Sequence, residues 1–142
     1  LHGVARVIMP FEPDTNLVCL AINPEGNRDL AEMNRFGEKL YAKLSVGEGL
    51  DLRQRQFFGS RTRVQRASLS DEVARKLTEA LGLDPDSFVA APEDPKRAAD
   101  SIFLLRHTLM NPWLSGTDHG MNYLDRYCRH LDELVRTELD NR

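Results

Sequence analysis

A chain of 142 residues, 41% of them hydrophobic, has room for one globular domain, and we expect residues 1–142 to form a single domain. The net charge of −3 excludes binding to polyanions through overall charge, and no apolar run approaches the ~18 residues that a membrane-spanning helix needs. Cys19 and Cys128 lie among apolar or helical neighbours, which predicts buried free thiols, no disulfide framework and a cytoplasmic protein.

The first part of the chain predicts two strands followed by a helix. Residues 4–9 and 17–22 are rich in β-branched and apolar types, and the second run is apolar on both faces, which favours a central strand. Asn27 is the predicted N-cap of a helix that ends near Ser45. The apolar stripe of this helix consists of Leu30, Met33, Phe36, Leu40, Tyr41 and Leu44.

The middle of the chain predicts a third strand and a short helix. Residues 57–65 form the strand, and Gly59 within it indicates a bulge or a close backbone approach. Ser68 or Ser70 is the predicted cap of the helix, which Gly82 ends. The predicted apolar stripe of this helix consists of Val73, Leu77, Ala80 and Leu81.

The last part predicts a connection, a strand and a long helix. Residues 82–100 contain several prolines and are expected to cross the surface, with a helical turn near 96–99. Residues 102–110 form the last strand, and Thr117 or Asp118 is expected to cap the final helix. The stripe of that helix consists of Met121, Leu124, Tyr127, Cys128, Leu131, Leu134 and Val135.

This order of elements predicts an α+β fold. The amphipathic helices need an apolar surface to cover, and a short, mainly antiparallel sheet offers one. We therefore expect a two-layer sandwich with the helices packed on one face of the sheet.

Motifs that would carry catalysis are absent from the sequence. It contains no phosphate-cradling loop, no G-x-G-x-x-G after a strand, no G-x-S-x-G and no H-E-x-x-H. Of the histidines, His107 and His119 are the pair that could meet in space, but packing or exposed roles are favoured for both. Zinc needs three or four convergent ligands, so we predict no metal site.

A basic run occupies the middle of the sequence. It consists of Arg53, Arg55, Arg61, Arg63 and Arg66, with Phe57 and Phe58 among them. Arginines and aromatics on a small sheet are typical of some RNA-binding surfaces. Arginine is also enriched where a domain meets another domain or subunit. The acidic total favours this second interpretation.

Arg106 is the candidate binding residue. Strand alternation places Phe103, Leu105 and His107 on one side of the last strand and Arg106 on the other. A guanidinium between leucines is costly to bury without a partner, so we expect an anion to meet it. That anion is either an acidic side chain of this domain or the carboxylate of a substrate, which guanidinium binds with two parallel hydrogen bonds.

Three segments resemble the C-terminal domain of group II pyridoxal-phosphate-dependent decarboxylases, which include tyrosine, glutamate and aromatic-amino-acid decarboxylases. They are residues 13–20 (PDTNLVCL), 57–62 (FFGSRT) and 104–112 (LLRHTLMNP), and the match is closest to tyrosine-decarboxylase-like members. This resemblance implies the small domain of a fold type I pyridoxal-phosphate enzyme. Residues 66–100 are then an expected insertion.

The resemblance also implies roles. Arg106 is expected to bind the substrate carboxylate, while the pyridoxal phosphate is bound mainly by a large domain of the same chain, in a homodimer. The family's Schiff-base lysine follows a histidine in a His-x-x-Lys pattern, and no lysine of this sequence does. We therefore expect no catalytic or cofactor-binding residues here and no activity from this chain alone. The start at Leu1 rather than Met also favours a fragment.

Two alternatives remain open on the sequence. A different pyridoxal-phosphate chemistry uses the same scaffold, since aminotransferases share the fold of the small domain. The other alternative is a free-standing ferredoxin-like module that binds RNA or a small regulatory ligand. An enzyme domain is expected to expose an apolar patch beside Arg106, whereas a free module is not.

Overall fold

The computed structural model describes residues 3–13, 16–45, 57–108, 117–118 and 121–141 of the chain. The strands are β1 (Ala5–Ile8), β2 (Leu17–Pro24), β3 (Ser60–Gln65), β4 (Ser101–Thr108), β5 (Thr117–Asp118) and β6 (Met121–Asn122). The helices are α1 (Leu30–Leu44), α2 (Asp71–Leu81) and α3 (Tyr123–Asp140), with short 3₁₀ turns at Arg66–Ser68 and Pro85–Ser87.

Four strands form one antiparallel sheet in the order β1-β2-β4-β3. β2 is internal, as its two apolar faces predict, and β4 lies between β2 and β3. The predicted α+β class and the antiparallel sheet are therefore confirmed. The last two residues of the strand predicted over 102–110 lie outside the described residues.

Both faces of β4 carry buried side chains. Phe103 and Leu105 pack with residues of α1 and α3, which form the helical layer on one face of the sheet. Ile102 and Leu104 pack with apolar residues of α2 and of the connection after it. α2 thus covers one end of the opposite face, and none of the described helices packs on the part of that face around Arg106.

Asn34 joins α1 to the sheet where two strands part. Among the described residues, β2 pairs with β4 from Leu17 to Leu20 and with β1 from Ala21 onward. Beyond this pairing, the buried Asn34 side chain provides the hydrogen bonds on the edge of β4 that faces β2. Its Nδ2 donates to Ser101 O at 2.7 Å, and its Oδ1 accepts from Phe103 N at 2.8 Å. One side chain therefore satisfies two backbone groups that would otherwise be buried without partners.

The start of α1 differs from the prediction. Asp29 rather than Asn27 is the N-cap residue. Asn27 lies before it, with its Nδ2 donating to Asn23 Oδ1 at 2.7 Å. Asn23 is buried, and its own Nδ2 donates to Leu81 O at 2.8 Å. Asn27 therefore stabilises the turn between β2 and α1 through Asn23, and Asn23 in turn contacts the end of α2.

The ends of α2 follow the prediction, but its buried face does not. Ser70 Oγ accepts from Val73 N at 3.3 Å, and Gly82 ends the helix with a φ of 72°. Val73 and Ala80 of the predicted stripe are exposed, whereas Ala74 and Thr78 are buried beside the predicted Leu77 and Leu81. Burial of Thr78 is tolerated because its hydroxyl donates to Arg75 O at 2.8 Å.

α3 begins later than the sequence predicts. Thr117 and Asp118 are not its cap, because they pair with Met121–Asn122 in a two-stranded ribbon. Asn122 is the N-cap, and its side chain accepts from Asp125 N at 2.7 Å. The helix therefore begins only after the two-stranded ribbon that precedes it in the chain.

The buried stripe of α3 is narrower than predicted. Leu131 and Val135 are buried and Tyr127 is partly buried, at a spacing of four residues. Cys128 is exposed because it lies one position, or about 100°, around the helix from Tyr127. The prediction that both thiols are buried was wrong for Cys128, while Cys19 is half-buried, and both are free.

Candidate functional site

Arg106 lies in a row of side chains across three strands. The register pairs Arg106 of β4 with Cys19 of β2 on one side and with Ser60 of β3 on the other. Directly opposed residues of neighbouring strands point to the same face of a sheet. Because Phe103 and Leu105 point into the α1 and α3 layer, this row points away from it.

Arg106 has one defined partner among the described residues. Its Nε donates to Ser60 Oγ at 3.0 Å, and Ser60 Oγ in turn donates to Arg106 O at 2.9 Å. No carboxylate in the described ranges forms an ion pair with Arg106. An acidic side chain of this domain was one of the two anions predicted for Arg106, and the described part of the chain does not supply it.

The guanidinium of Arg106 keeps binding capacity. A guanidinium carries five N–H donors, and Ser60 occupies the single donor on Nε. The structure assigns the four donors on the terminal nitrogens no acceptor among the residues it describes. The arrangement is therefore chemically suited to bind an anion with a planar, two-oxygen edge, such as a carboxylate.

Exposed apolar side chains lie near the same end of the sheet. Met9 and Phe11 follow β1, Leu17 begins β2 opposite Thr108 at the end of β4, and Phe58 precedes Ser60. We call Met9, Phe11, Leu17 and Phe58 the apolar rim. All four are at least 40% exposed, and such a group of side chains is typical of a surface that another domain or chain covers.

His107 points to the opposite face, toward α3. Its Nε2 lies 2.8 Å from the Tyr127 hydroxyl, and the two rings meet edge to face at 4.9 Å. Burial lowers the pKa of His107 and raises the pKa of Tyr127. His119, for which a packing or exposed role is predicted, lies outside the described residues, and within those residues no cluster of metal-ligating side chains is present.

Three arginines of the basic run are engaged within the domain. Arg61 and Arg63 form ion pairs with Glu38 of α1, and Arg66 pairs with Asp71 at the start of α2. Their guanidinium groups also lie over the rings of Tyr41, Phe103 and Phe88. These contacts connect β3 to the helices. Arg53 and Arg55 lie outside the described residues.

A shallow cavity of about 480 Å³, which Arg106 does not line, lies beside the connection that precedes β4. Arg97 lines it and pairs with Asp29 at 3.1 Å and with Asp84 at 3.8 Å. Arg28 also contacts Asp84, and its hydrogen bond lowers the pKa of that carboxyl group. Arg28 and Arg97 thus offset the charges of Asp84 and Asp29, but Asp86, Glu93 and Asp94 also line the cavity and leave its lining net negative. The ion pairs connect the start of α1 to the connection.

Sequence reasoning identified Arg106 but missed Ser60. Ser60 and Arg106 are 46 residues apart in the chain, and a long segment that includes α2 separates β3 from β4. The register of such a pair depends on packing rather than on local sequence. The serine in the FFGSRT segment therefore gave no signal of its own.

A family model described as "Tyrosine decarboxylase, C-terminal" matches residues 3–139 of the chain. The search of the curated proteins found no match to the chain. Among the described residues, no helix is long and apolar enough to cross a membrane.

Proposed function

The chain belongs to the family of tyrosine decarboxylase C-terminal domains, and from this premise we propose that it covers the active site of a pyridoxal-phosphate-dependent amino-acid decarboxylase. The observation that carries the proposal is the position of Arg106. Its guanidinium lies on a part of the sheet that no described helix covers, beside the apolar rim, and without a carboxylate partner in the described ranges.

In this proposal Arg106 binds the carboxylate of the amino-acid substrate. Two parallel N–H···O hydrogen bonds fix both the position and the plane of a carboxylate, which a lysine ammonium does not do. A fixed plane matters because Arg106 would then hold the bond that breaks in the substrate in one orientation. Pyridoxal phosphate supplies the electron sink for the charge left by CO₂.

Among the described residues, no lysine belongs to the row that contains Arg106, so the side chains of that row do not fit a Schiff base with the cofactor. Lys39 pairs with Glu138 at 3.1 Å in the layer of α1 and α3, and Lys76 pairs with Glu72 at 2.6 Å on the outer side of α2. Neither lies in the row that contains Arg106. We therefore propose that the cofactor is bound by a large domain of a longer chain and that this domain alone releases no CO₂.

The apolar rim is the proposed contact with that large domain. Burial of exposed Met, Phe and Leu side chains contributes roughly 25 cal/mol per Å² of apolar area, so the rim favours docking. Docking would also remove water from around Arg106, which strengthens its hydrogen bonds to a carboxylate. We propose a homodimer for the parent enzyme. We also propose a cytoplasmic location, because the two free thiols of this domain suit a reducing compartment.

The test uses the full-length protein that carries this domain. The visible absorption of lysine-bound pyridoxal phosphate reports the cofactor, and CO₂ released from tyrosine and other amino acids reports the reaction. Arg106→Ala is compared with Arg61→Ala. Arg61 is a matched control because it belongs to the same sheet but contacts Tyr41 on the other face, and Glu38 keeps Arg63 as a partner.

We expect both variants to keep the cofactor absorption. Arg106→Ala is expected to lose about a hundredfold or more of kcat/KM, because a charged hydrogen-bonded pair with substrate is removed. Arg61→Ala is expected to keep its activity. A full-length chain without the cofactor, or equal activity in both variants, would contradict the proposal.

A further inference from the structure

Ser60 and Arg106 form a reciprocal hydrogen-bonded pair. The Ser60 hydroxyl donates to Arg106 O at 2.9 Å and accepts from Arg106 Nε at 3.0 Å. A hydroxyl has one proton and two acceptor lone pairs. Since its proton goes to the backbone carbonyl, its lone pairs are oriented toward the side chain of the same residue.

The position of Ser60 is itself fixed by the backbone. Ser60 is the first residue of β3, and its partner in the ladder is Arg106. Gly59, just before it, donates its N–H to Leu44 O at the end of α1 at 3.0 Å. The chain is thus held by α1 on one side of Ser60 and by β4 on the other.

We infer that Ser60 is a positioning residue that holds the Arg106 guanidinium ready for a substrate carboxylate, an inference that rests on the proposed function. An arginine side chain has many rotamers, and ordering it upon substrate binding reduces affinity. Ser60 orders it beforehand through Nε, the donor nearest the backbone. Both terminal nitrogens then remain together for the two oxygens of a carboxylate.

The other neighbour of Arg106 offers no substitute for Ser60. Cys19 opposes Arg106 from β2, but a thiol is a weak acceptor. Replacement of Ser60 by alanine is therefore expected to leave Nε without a good acceptor among the described neighbours, so that the guanidinium turns more freely.

The test is a double-mutant cycle in the full-length holoenzyme. Ser60→Ala, Ser60→Thr and Ser60→Cys are each made with Arg106 and with Arg106→Ala. Two quantities are measured: kcat/KM for the amino acid, and the inhibition constant of the amine product. The amine lacks the carboxylate, so its binding reports the rest of the site.

We expect Ser60→Ala to lower kcat/KM about tenfold, the size of one lost hydrogen bond to a charged group, and to leave the inhibition constant of the amine unchanged. Ser60→Thr keeps the hydroxyl and is expected to restore kcat/KM to within about twofold of the wild type. With Arg106→Ala in place, Ser60→Ala is expected to have no further effect.

The outcomes separate this inference from the proposed function. If Arg106→Ala lowers kcat/KM but Ser60→Ala acts equally in both backgrounds, or also weakens the amine, Ser60 is merely structural and the inference fails alone. If Arg106→Ala itself has no effect, both fail. Ser60→Cys keeps nearly the same volume with a weaker acceptor, so it gives the same comparison if Ser60→Ala does not fold.

Discussion

The Tyr127 hydroxyl lies 2.8 Å from His107 Nε2, and this contact joins α3 to the end of β4. His107 is the next residue after Arg106, so the contact stabilises the segment of β4 that presents the guanidinium to the opposite face. Because Tyr127 and its neighbours bury the imidazole, the pKa of His107 is lowered from 6.5, its value in an unfolded chain.

This lowered pKa predicts a loss of stability in mild acid. The unfolded chain binds a proton on His107 near pH 6.5, whereas the folded chain resists it. The free energy of unfolding should therefore fall as the pH falls through 6.5 and level off below the folded pKa. Urea unfolding between about pH 5 and 8 measures this slope, and His107→Gln should flatten it.

Tyr127→Phe is the matched control for the pH experiment. It removes the hydroxyl but keeps a ring of the same size over His107, and burial is the cause of the pKa shift. The variant should lose some stability at every pH and keep the slope. An unchanged slope in His107→Gln would show that another group causes the pH dependence.

We predict that removing the single polar side chain of Asn34 strongly lowers the free energy of unfolding. Asn34→Ala leaves Ser101 O and Phe103 N buried without their partner. We expect a loss of about 2–4 kcal/mol in the free energy of unfolding, measured in urea. Asn141→Ala, which removes a single exposed hydrogen bond to Thr137 O, should change it by less than ~0.5 kcal/mol. If Asn34→Ala and Asn141→Ala lower the free energy of unfolding equally, the two hydrogen bonds of Asn34 to β4 do not have the stabilising role described here.

We predict that replacing Gly37 of α1 by alanine, a better helix former, destabilises the protein. A Cβ at Gly37 would lie 2.5 Å from Cδ1 of the Phe103 ring, which is closer than packed atoms allow. Gly37→Ala should therefore lower the free energy of unfolding by about 1–3 kcal/mol, although alanine favours helices by about 1 kcal/mol. Thermal unfolding measures the effect. In a Phe103→Leu background the same substitution should cost less, and an equal cost would contradict the steric explanation.

We predict that the apolar rim contacts the large domain in the full-length enzyme. Leu17 and Val73 have almost the same exposure, 40% and 39%, but Leu17 belongs to the rim and Val73 to the outer side of α2. Leu17→Asp would bury a charge and should weaken docking by about 2 kcal/mol or more. Faster hydrogen exchange at the end of β4 and lower CO₂ release are the expected readouts.

Val73→Asp is the control for that experiment. A carboxylate in the first turn of α2 is favoured by the helix dipole, so the fold should tolerate it. We expect wild-type exchange at the end of β4 and wild-type activity. If Leu17→Asp behaves like Val73→Asp, the rim is not the contact with the large domain.

Local sequence patterns determined much of this protein. The period of apolar residues predicted the sheet strands, the three helices and the stripe of α1, and strand alternation placed Arg106 and His107 on opposite faces of β4. The cap at Ser70 and the turn at Gly82 were also predictable, because these residues act on backbone groups a few positions away.

Tertiary structure decided what lies between distant segments. The pairing of Ser60 with Arg106 and the contacts of Asn34 with Ser101 and Phe103 join segments far apart in the chain, whose sequences carry no signal for one another. Register and rotation are set when whole faces pack, since a shift of one residue moves every side chain to another face. A sequence therefore shows that Arg106 needs a partner, but only the folded sheet shows that Ser60 is placed to hold it.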